Sequence, residues 1–552
     1  ASMAMAAMMA AGALPMNAWA APEVNHDETL TIEVYDVAAN YQGMQTGWYA
    51  KEIKDRFNIE LNIVAPQVSV DAASLYQTRC ASGDLGDIII LDNADMQDCV
   101  DVGLIADISE DLPNYENLMK YEEQISLFND AINEVIGKEG VYAIPAEMNS
   151  NGPTEYKEDT VAIMPRLRWD HYVEVGAPEM KNLDDLLDTL KKIQDAYPTN
   201  EAGDKTYALS LWPDWDNTSI ENVNQLTKWY GQEVNGSILL GTDNSITPLT
   251  DKDGAYYKML KFLYKANQMG LVDPDSATQD WNAACDKMRQ GRVHLFWYNW
   301  QYGFWNSPDK GEARQNYRGI PLEDLNIYQA SWAVGSSVSD EDKARILEFM
   351  DWLCSPEGLT MQHIGQEGFI YTVNDDGTYT LTDAGMTRFA DDPQVPEELG
   401  GGSWTDGNNQ VNQWLVASIE MNPETGETFG SDYWASFLEK NNTATNKEWS
   451  EKFGSETEVS YLEENGMLNI VPNVNLVLPI DTTDIALIRS QCGDQVKATS
   501  WQAIFASDDA EFDQMWDEMC VTLEGLGWDQ LVEFDTNKYQ AVVDAREAAT
   551  AE

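Results

Sequence analysis

Four consecutive apolar residues, Ile88-Ile89-Ile90-Leu91, constrain the fold of this chain more than any other segment. Side chains of a strand alternate between the two faces of a sheet, so an unbroken apolar run buries both faces. Gly86-Asp87 before it and Asp92-Asn93 after it are turn residues that bound the run at strand length. A strand buried on both faces belongs inside a mainly parallel sheet covered by helices. The residues upstream supply that setting. Leu30, Ile32 and Val34 alternate as a strand, and Tyr49, Ile53 and Phe57 recur every four residues as a helix. Ile59, Leu61 and Ile63 alternate again, and a helical segment runs through Cys80. Strand, helix, strand, helix, strand is the opening of a doubly wound α/β lobe.

The pattern restarts near Tyr142. Asn182 caps a helix whose first turn holds Asp184 and Asp185 at the positive end of the helix dipole and whose stripe is Leu183, Leu186, Leu187 and Leu190. Tyr207 to Leu211 reads as a strand. A helix around Tyr256, Leu260 and Leu263 ends at Gly270, ahead of Pro274. Ser339 and Asp342 form a capping box for a helix striped by Ile346, Phe349, Met350 and Leu353, which stops at Ser355-Pro356. A last helical pattern carries Phe512, Met515, Trp516, Met519, Leu523 and Leu526. At 552 residues the chain exceeds what one core supports, so two lobes are expected. No repeat or low-complexity tether separates them, which predicts several chain crossings between lobes.

Charge narrows the partners. The chain has 94 acidic and 34 basic residues, a net charge of −60, and this field repels nucleic-acid phosphates and anionic lipid headgroups. The acidic residues are spread along the chain, as on a solvated surface; an acid-lined binding site is the alternative. Ala4 to Met16 is apolar and is followed by Ala18-Trp19-Ala20, which reads as the remnant of a secretory signal and implies export. Beyond the first 22 residues no apolar run reaches membrane-spanning length. The six cysteines (Cys80, Cys99, Cys285, Cys354, Cys492 and Cys520) show no zinc spacing; one or two disulfides, or small buried side chains, both fit. Catalytic signals are weak. His26, His171, His294 and His363 lack metal-ligand spacing, and GxSxG, P-loop and GxGxxG motifs are absent.

Several segments together resemble a known family. They are Ala81-Ser82-Gly83-Asp84-Leu85-Gly86-Asp87-Ile88-Ile89, Gly103 to Ile108, Val141-Tyr142-Ala143-Ile144-Pro145, and Leu167-Arg168-Trp169-Asp170 with Val175-Gly176-Ala177-Pro178. Met350 to Gly358 and Gly365-Gln366-Glu367-Gly368 complete the set. In this order they resemble type 1 extracellular solute-binding proteins of carbohydrate ABC importers, in the long lipoprotein-type oligosaccharide-binding branch. The resemblance runs from about residue 30 to 375, and more loosely from about 500 to 545. It implies a two-lobed, periplasmic-binding-protein-like α/β fold (type II), with the ligand cleft between lobes joined by several crossovers. The expected division is 1–26 as exported tail, 27–148 as the first part of lobe 1 and 149–324 as the first part of lobe 2. Residues 325–385 return to lobe 1, and 386–552 form mainly lobe 2 and C-terminal helices. It also implies an oligosaccharide ligand, permease subunits as partners, a monomer, no cofactor, and a location outside the cell, on its surface or in the periplasm. Many relatives carry a calcium loop before the strand at Tyr207; Asn200-Glu201-Ala202-Gly203-Asp204-Lys205 lacks that ligand set, so no metal is expected there.

A sugar ring offers an apolar face and a hydroxyl edge, so binding takes a flat aromatic on the face and polar side chains on the edge. Aromatics in polar or Gly-rich loops are the candidates: Tyr41 and Trp48 beside Gly43 and Gly47, Trp212 and Trp215 with Asp216, Trp297 and Trp300, and Trp404 after Gly400-Gly401-Gly402. Asp92, Asn93 and Glu147 end strand or crossover segments, where ligands gather in open α/β sheets. Glu367 either lines the cleft or caps a helix. Each aromatic could instead fill a core, and Trp169, Trp352 and Trp516, on apolar helical stripes, are assigned there. A binding protein for a cationic peptide or polyamine, and an exported glycoside hydrolase, remain as rivals. The first would need clustered cleft carboxylates, the second two opposed carboxylates with one raised pKa.

Overall fold

The computed structural model describes residues 24–551 except 69–71, 92–95, 97, 98, 147, 149–162, 306–316, 320–330, 335–338, 409, 412, 413, 442, 443, 468–470, 473–477 and 480. Strands β1 (Leu30–Asp36), β2 (Gly43–Met44), β3 (Ile59–Val64), β4 (Ile88–Leu91) and β5 (Ile144–Pro145) open the first lobe. The second lobe holds β6 (Ile163–Arg168), β7 (Gln232–Asn235), β8 (Ile238–Gly241), β9 (Ile246–Pro248), β10 (Leu295–Tyr298) and β11 (Tyr317–Gly319). Strand β12 (Ser331–Val334) returns to the first.

The first sheet has the order β2-β3-β1-β4-β12-β5. Its centre is parallel: Leu30 pairs with Ile59 and Val34 with Ile88. The run Ile88–Leu91 lies where its composition requires. Ile88 and Ile90 join one apolar cluster and Ile89 and Leu91 another, on the opposite face. Burying each such side chain contributes roughly 1.5–3 kcal/mol. Beside it β12, which the chain reaches from the other lobe, is antiparallel to both β4 and β5. Helix Gly47–Phe57 turns Trp48, Tyr49, Ile53 and Phe57 into this core. There Phe57 meets Phe349 and Trp352 edge-on at 5.8 and 5.6 Å, from the helix Asp340–Leu353. That helix starts at Ser339, whose hydroxyl accepts from the Asp342 amide at 3.1 Å. The next helix, Pro356–His363, shows why its entry reads Ser-Pro-Glu-Gly: a Cβ on Gly358 would lie 1.9 Å from the Trp352 carbonyl oxygen.

Residues 386–437 do not follow the expected division. Met386, Val395, Trp404, Val411, Leu415, Val416, Phe429 and Trp434 pack into the first lobe's core, and Phe437 packs against it, because Trp404 and its neighbours cover the helix that begins at Gly47. From Trp449 onward the chain belongs to the second core, with Leu462, Ile485, Phe512, Trp516 and Leu523. Among the described residues the chain therefore passes between lobes three times, between Met148 and Ile163, Gly319 and Ser331, and Phe437 and Trp449.

In the second lobe β6 is flanked by antiparallel β10 and β11, and β7-β8-β9 form a separate antiparallel meander. The helix Leu183–Ala196 is capped by Asn182, which accepts from the Asp185 amide at 3.0 Å. Tyr207–Leu211 is extended but is not a full strand. Tyr207 bridges Val293 and Leu209 bridges Val272, one residue to each side, and by Leu211 the amide donates instead to the Ser276 hydroxyl at 3.0 Å. All six cysteines are free thiols. No helix among the described residues is long and apolar enough to cross a membrane.

Candidate ligand-binding site

The extended segment 207–211 delivers Trp212 and Trp215 to the edge of the second lobe, and three other elements bring aromatics to the same place. Asp280 caps the helix Trp281–Arg289, accepting from the Ala283 amide at 2.8 Å. The Asp214 carboxylate accepts from the Trp281 amide at 2.7 Å, tying that helix start to the Trp212–Trp215 turn. Strand β10 carries Trp297 and Tyr298 across a register shift between Phe296 and Tyr298. Such a shift leaves backbone donors unpaired in the ladder. Here the Gln301 side-chain oxygen accepts from both the Trp297 and the Tyr298 amides, each at 2.9 Å.

The result is a continuous aromatic cluster. Trp212 and Trp297 form its floor, stacked 5.5 Å apart with planes 7° from parallel, and both are fully buried. Trp281 lies 4.6 Å from Trp212 and 4.7 Å from Trp215. Tyr298 stacks against Trp300 at 4.7 Å and 24°. Trp215 is half-buried, and Trp300 is 41% exposed, the most open ring of the group. Across from the cluster, the first lobe supplies Asn40, whose side-chain oxygen accepts from the Trp215 indole N–H at 3.2 Å. The site thus offers one stacked and exposed tryptophan face beside a second indole that reaches the opposite lobe.

The nearby carboxylates make structural hydrogen bonds. Asp216 accepts from the Glu221 amide at 2.9 Å and from the Trp501 indole at 2.6 Å, and burial pushes its carboxyl up to about 7. It braces the helix Glu221–Thr227 against Thr483–Ile504 rather than facing ligand. Burial likewise raises Asp214. Beneath the cluster, the Lys287 ammonium donates to Asp273, Asp275 and Gln279 at 2.6, 2.9 and 2.7 Å. Gln279 in turn donates to the Leu211 carbonyl at 2.6 Å, anchoring the turn that holds Trp212.

Of the residues singled out from sequence, Trp212, Trp215, Trp297, Trp300 and Asp216 come together, but of the four rings only Trp215 and Trp300 have surface to offer. Trp212 and Trp297 are supports, because the other rings cover them. Trp48 and Trp404 are not cleft platforms; both are fully buried in the first lobe. The glycines beside them allow close packing rather than exposure: a Cβ on Gly400 would stand 2.5 Å from the Trp48 Cα. Tyr41 is half-buried at the edge of that core and donates its hydroxyl to the Met44 carbonyl at 2.6 Å. Glu367 is exposed on a turn closed by a 2.7 Å hydrogen bond from the Gly368 amide to the Tyr371 carbonyl. Asp92, Asn93 and Glu147 lie outside the described residues. Trp169, Trp352 and Trp516 are in cores. Sequence reasoning missed Trp281 and Asn40. Trp281 sits in the polar stretch Thr278-Gln279-Asp280-Trp281-Asn282 and met the same criterion as the others; Asn40 carried no signal.

Comparison with solved structures gives the same architecture. The S. pneumoniae ABC-transporter substrate-binding protein FusA in complex with kestose superposes with a TM-score of 0.57 at 15% identity, over 94% of this chain and 99% of that one. The alginate-binding protein AlgQ2 without calcium ion gives 0.61 at 15% identity, over 94% and 100%. A human-milk-oligosaccharide (HMO) binding, ABC-transporter-associated solute-binding protein from Bifidobacterium longum infantis gives 0.55 at 15%, over 93% and 99%. Curated protein sequences provide no match. Residues 45–360 match the bacterial extracellular solute-binding protein family, and the chain belongs to it.

Proposed function

We propose that this protein captures an oligosaccharide between its lobes and delivers it to the permease of an ABC importer. The observation that carries the reading is Trp300, exposed and stacked on Tyr298 beside Trp215, at the point where the second lobe meets Asn40 of the first. An open indole face backed by a second ring is a surface for the C–H face of a sugar. Structural relatives whose described ligands are kestose, alginate and milk oligosaccharides support the same class. Asp216 already accepts hydrogen bonds from the Glu221 amide and the Trp501 indole, which leaves it a poor partner for a polyamine. On this reading the protein turns nothing over and works as a monomer outside the cell.

The test is a thermal-shift screen against kestose, milk oligosaccharides, N-glycan fragments and alginate oligosaccharides, followed by titration calorimetry. A sugar at a hundred times its Kd adds about 2.7 kcal/mol of stability. Binding by none of them, or release of shorter sugars on incubation with homogeneous protein, would overturn the proposal.

A further inference from the structure

The two lobes touch on both sides of the aromatic site. On one side the Trp215 indole N–H reaches Asn40, in the loop after β1. On the other, Phe389 of the first lobe lies over the 3-10 turn Gln301–Phe304 of the second. Gly303 in that turn has no Cβ; one placed there would come within 3.3 Å of the Phe389 side chain. Phe389 is anchored edge-on to the buried Trp404 at 5.1 Å, and Phe304 lies 5.9 Å from Trp281 and 6.3 Å from Trp300. Phe389, held against the first lobe's core by Trp404, therefore meets the second lobe at Gly303, beside the Phe304 ring that joins the platform, and the Asn40 hydrogen bond completes the bracket.

We infer that Asn40 is a positioning residue: through the Trp215 N–H it fixes the orientation of that ring and favours approach of the lobes before any solute arrives. A tryptophan can do both tasks because its N–H lies on the ring edge while stacking uses the face. Held at its edge, Trp215 is fixed without using its stacking surface, and the same bond exists only while the lobes are close. A neutral hydrogen bond of ordinary strength shifts a two-state balance about fivefold. Ligand binding then starts from lobes already biased toward closure, so less of the binding free energy goes into domain movement. That benefit to capture rests on the oligosaccharide reading, whereas the bond and its effect on lobe position do not.

The experiment uses the full chain without ligand. Asn40→Ala removes the acceptor, Trp215→Phe removes the donor but keeps an aromatic face, and Asn40→Asp keeps an acceptor. Small-angle scattering reads lobe separation, and the Trp215 indole resonance in spectra of 15N-tryptophan-labelled protein reads the bond itself. Asn40→Ala, Trp215→Phe and the double variant should open the lobes by the same increment, a fivefold change in the closed-to-open ratio, with melting temperatures near wild type. Asn40→Asp should retain the wild-type radius of gyration. An unchanged radius and an unmoved indole resonance in Asn40→Ala would overturn the inference. So would opening in Trp215→Phe alone, which would assign the effect to ring packing. Failure of the sugar screen would retire the oligosaccharide reading and leave these ligand-free measurements standing.

Discussion

Trp48 donates its indole N–H to the backbone carbonyl of Trp404 at 3.0 Å, across 356 residues of sequence. Each ring sits in a Gly-rich stretch that in isolation looks like an open loop. Together they close a core, and Gly407 packs so tightly that an added Cβ would fall 2.2 Å from Trp48 Cδ1. Trp48→Ala should therefore cost about 3–5 kcal/mol of stability. Urea unfolding should show the loss, while protein that remains folded should bind sugar with wild-type affinity. A stable variant with weakened binding would return Trp48 to the site.

Trp300 should behave in the opposite way. Its ring is 41% exposed, so truncation removes little core. If a sugar stacks on it, Trp300→Ala should cost ~2 kcal/mol or more of binding. That is roughly a thirtyfold rise in Kd, since each ~1.4 kcal/mol is tenfold. Trp300→Phe, which keeps a smaller face, should fall between. Calorimetric titration beside thermal melting separates the two effects.

Asp216 gives a pH signature. Its folded carboxyl keeps a proton up to about pH 7, because burial between two helices opposes the charge. An unfolded aspartate releases its proton near ~3.9. Between these values the folded state binds more protons, so this group's favourable contribution is full below pH ~4 and is lost as pH rises to 7. Asp216→Asn, neutral throughout, should flatten the decline of melting temperature across that window. An unchanged slope would show that another group sets it.

Lys287 and Asp273 test the support beneath the platform. Asp273 is buried and shares the ammonium with Asp275 and Gln279. Lys287→Met strands a buried carboxylate, and breaking such a pair costs about 3–5 kcal/mol. Adding Asp273→Asn should recover part of the loss in chemical denaturation. If the single variant is as stable as wild type, the network does not hold the turn.

What was legible in the sequence was what depends on near neighbours. The alternation at Leu30, Ile32 and Val34, the run Ile88–Leu91, and the caps at Asn182 and Ser339 rest on spacing and backbone geometry within a few residues, and the structure realises each of them. The presence of two lobes followed from chain length, and their family from motifs in order. The exposure of each aromatic did not follow, because a ring's surroundings are set by whatever segment arrives from elsewhere. Trp48 reads as open until Trp404 lies on it, and Trp297 until Trp212 stacks against it. The segment that carries Trp404 joined the first lobe rather than the second for the same reason: a buried indole is stabilised by the core that covers it, wherever that core falls in the sequence. Asn40 is the limiting case, a small polar residue in a loop, given a role only by the indole that the other lobe places 3.2 Å from its oxygen.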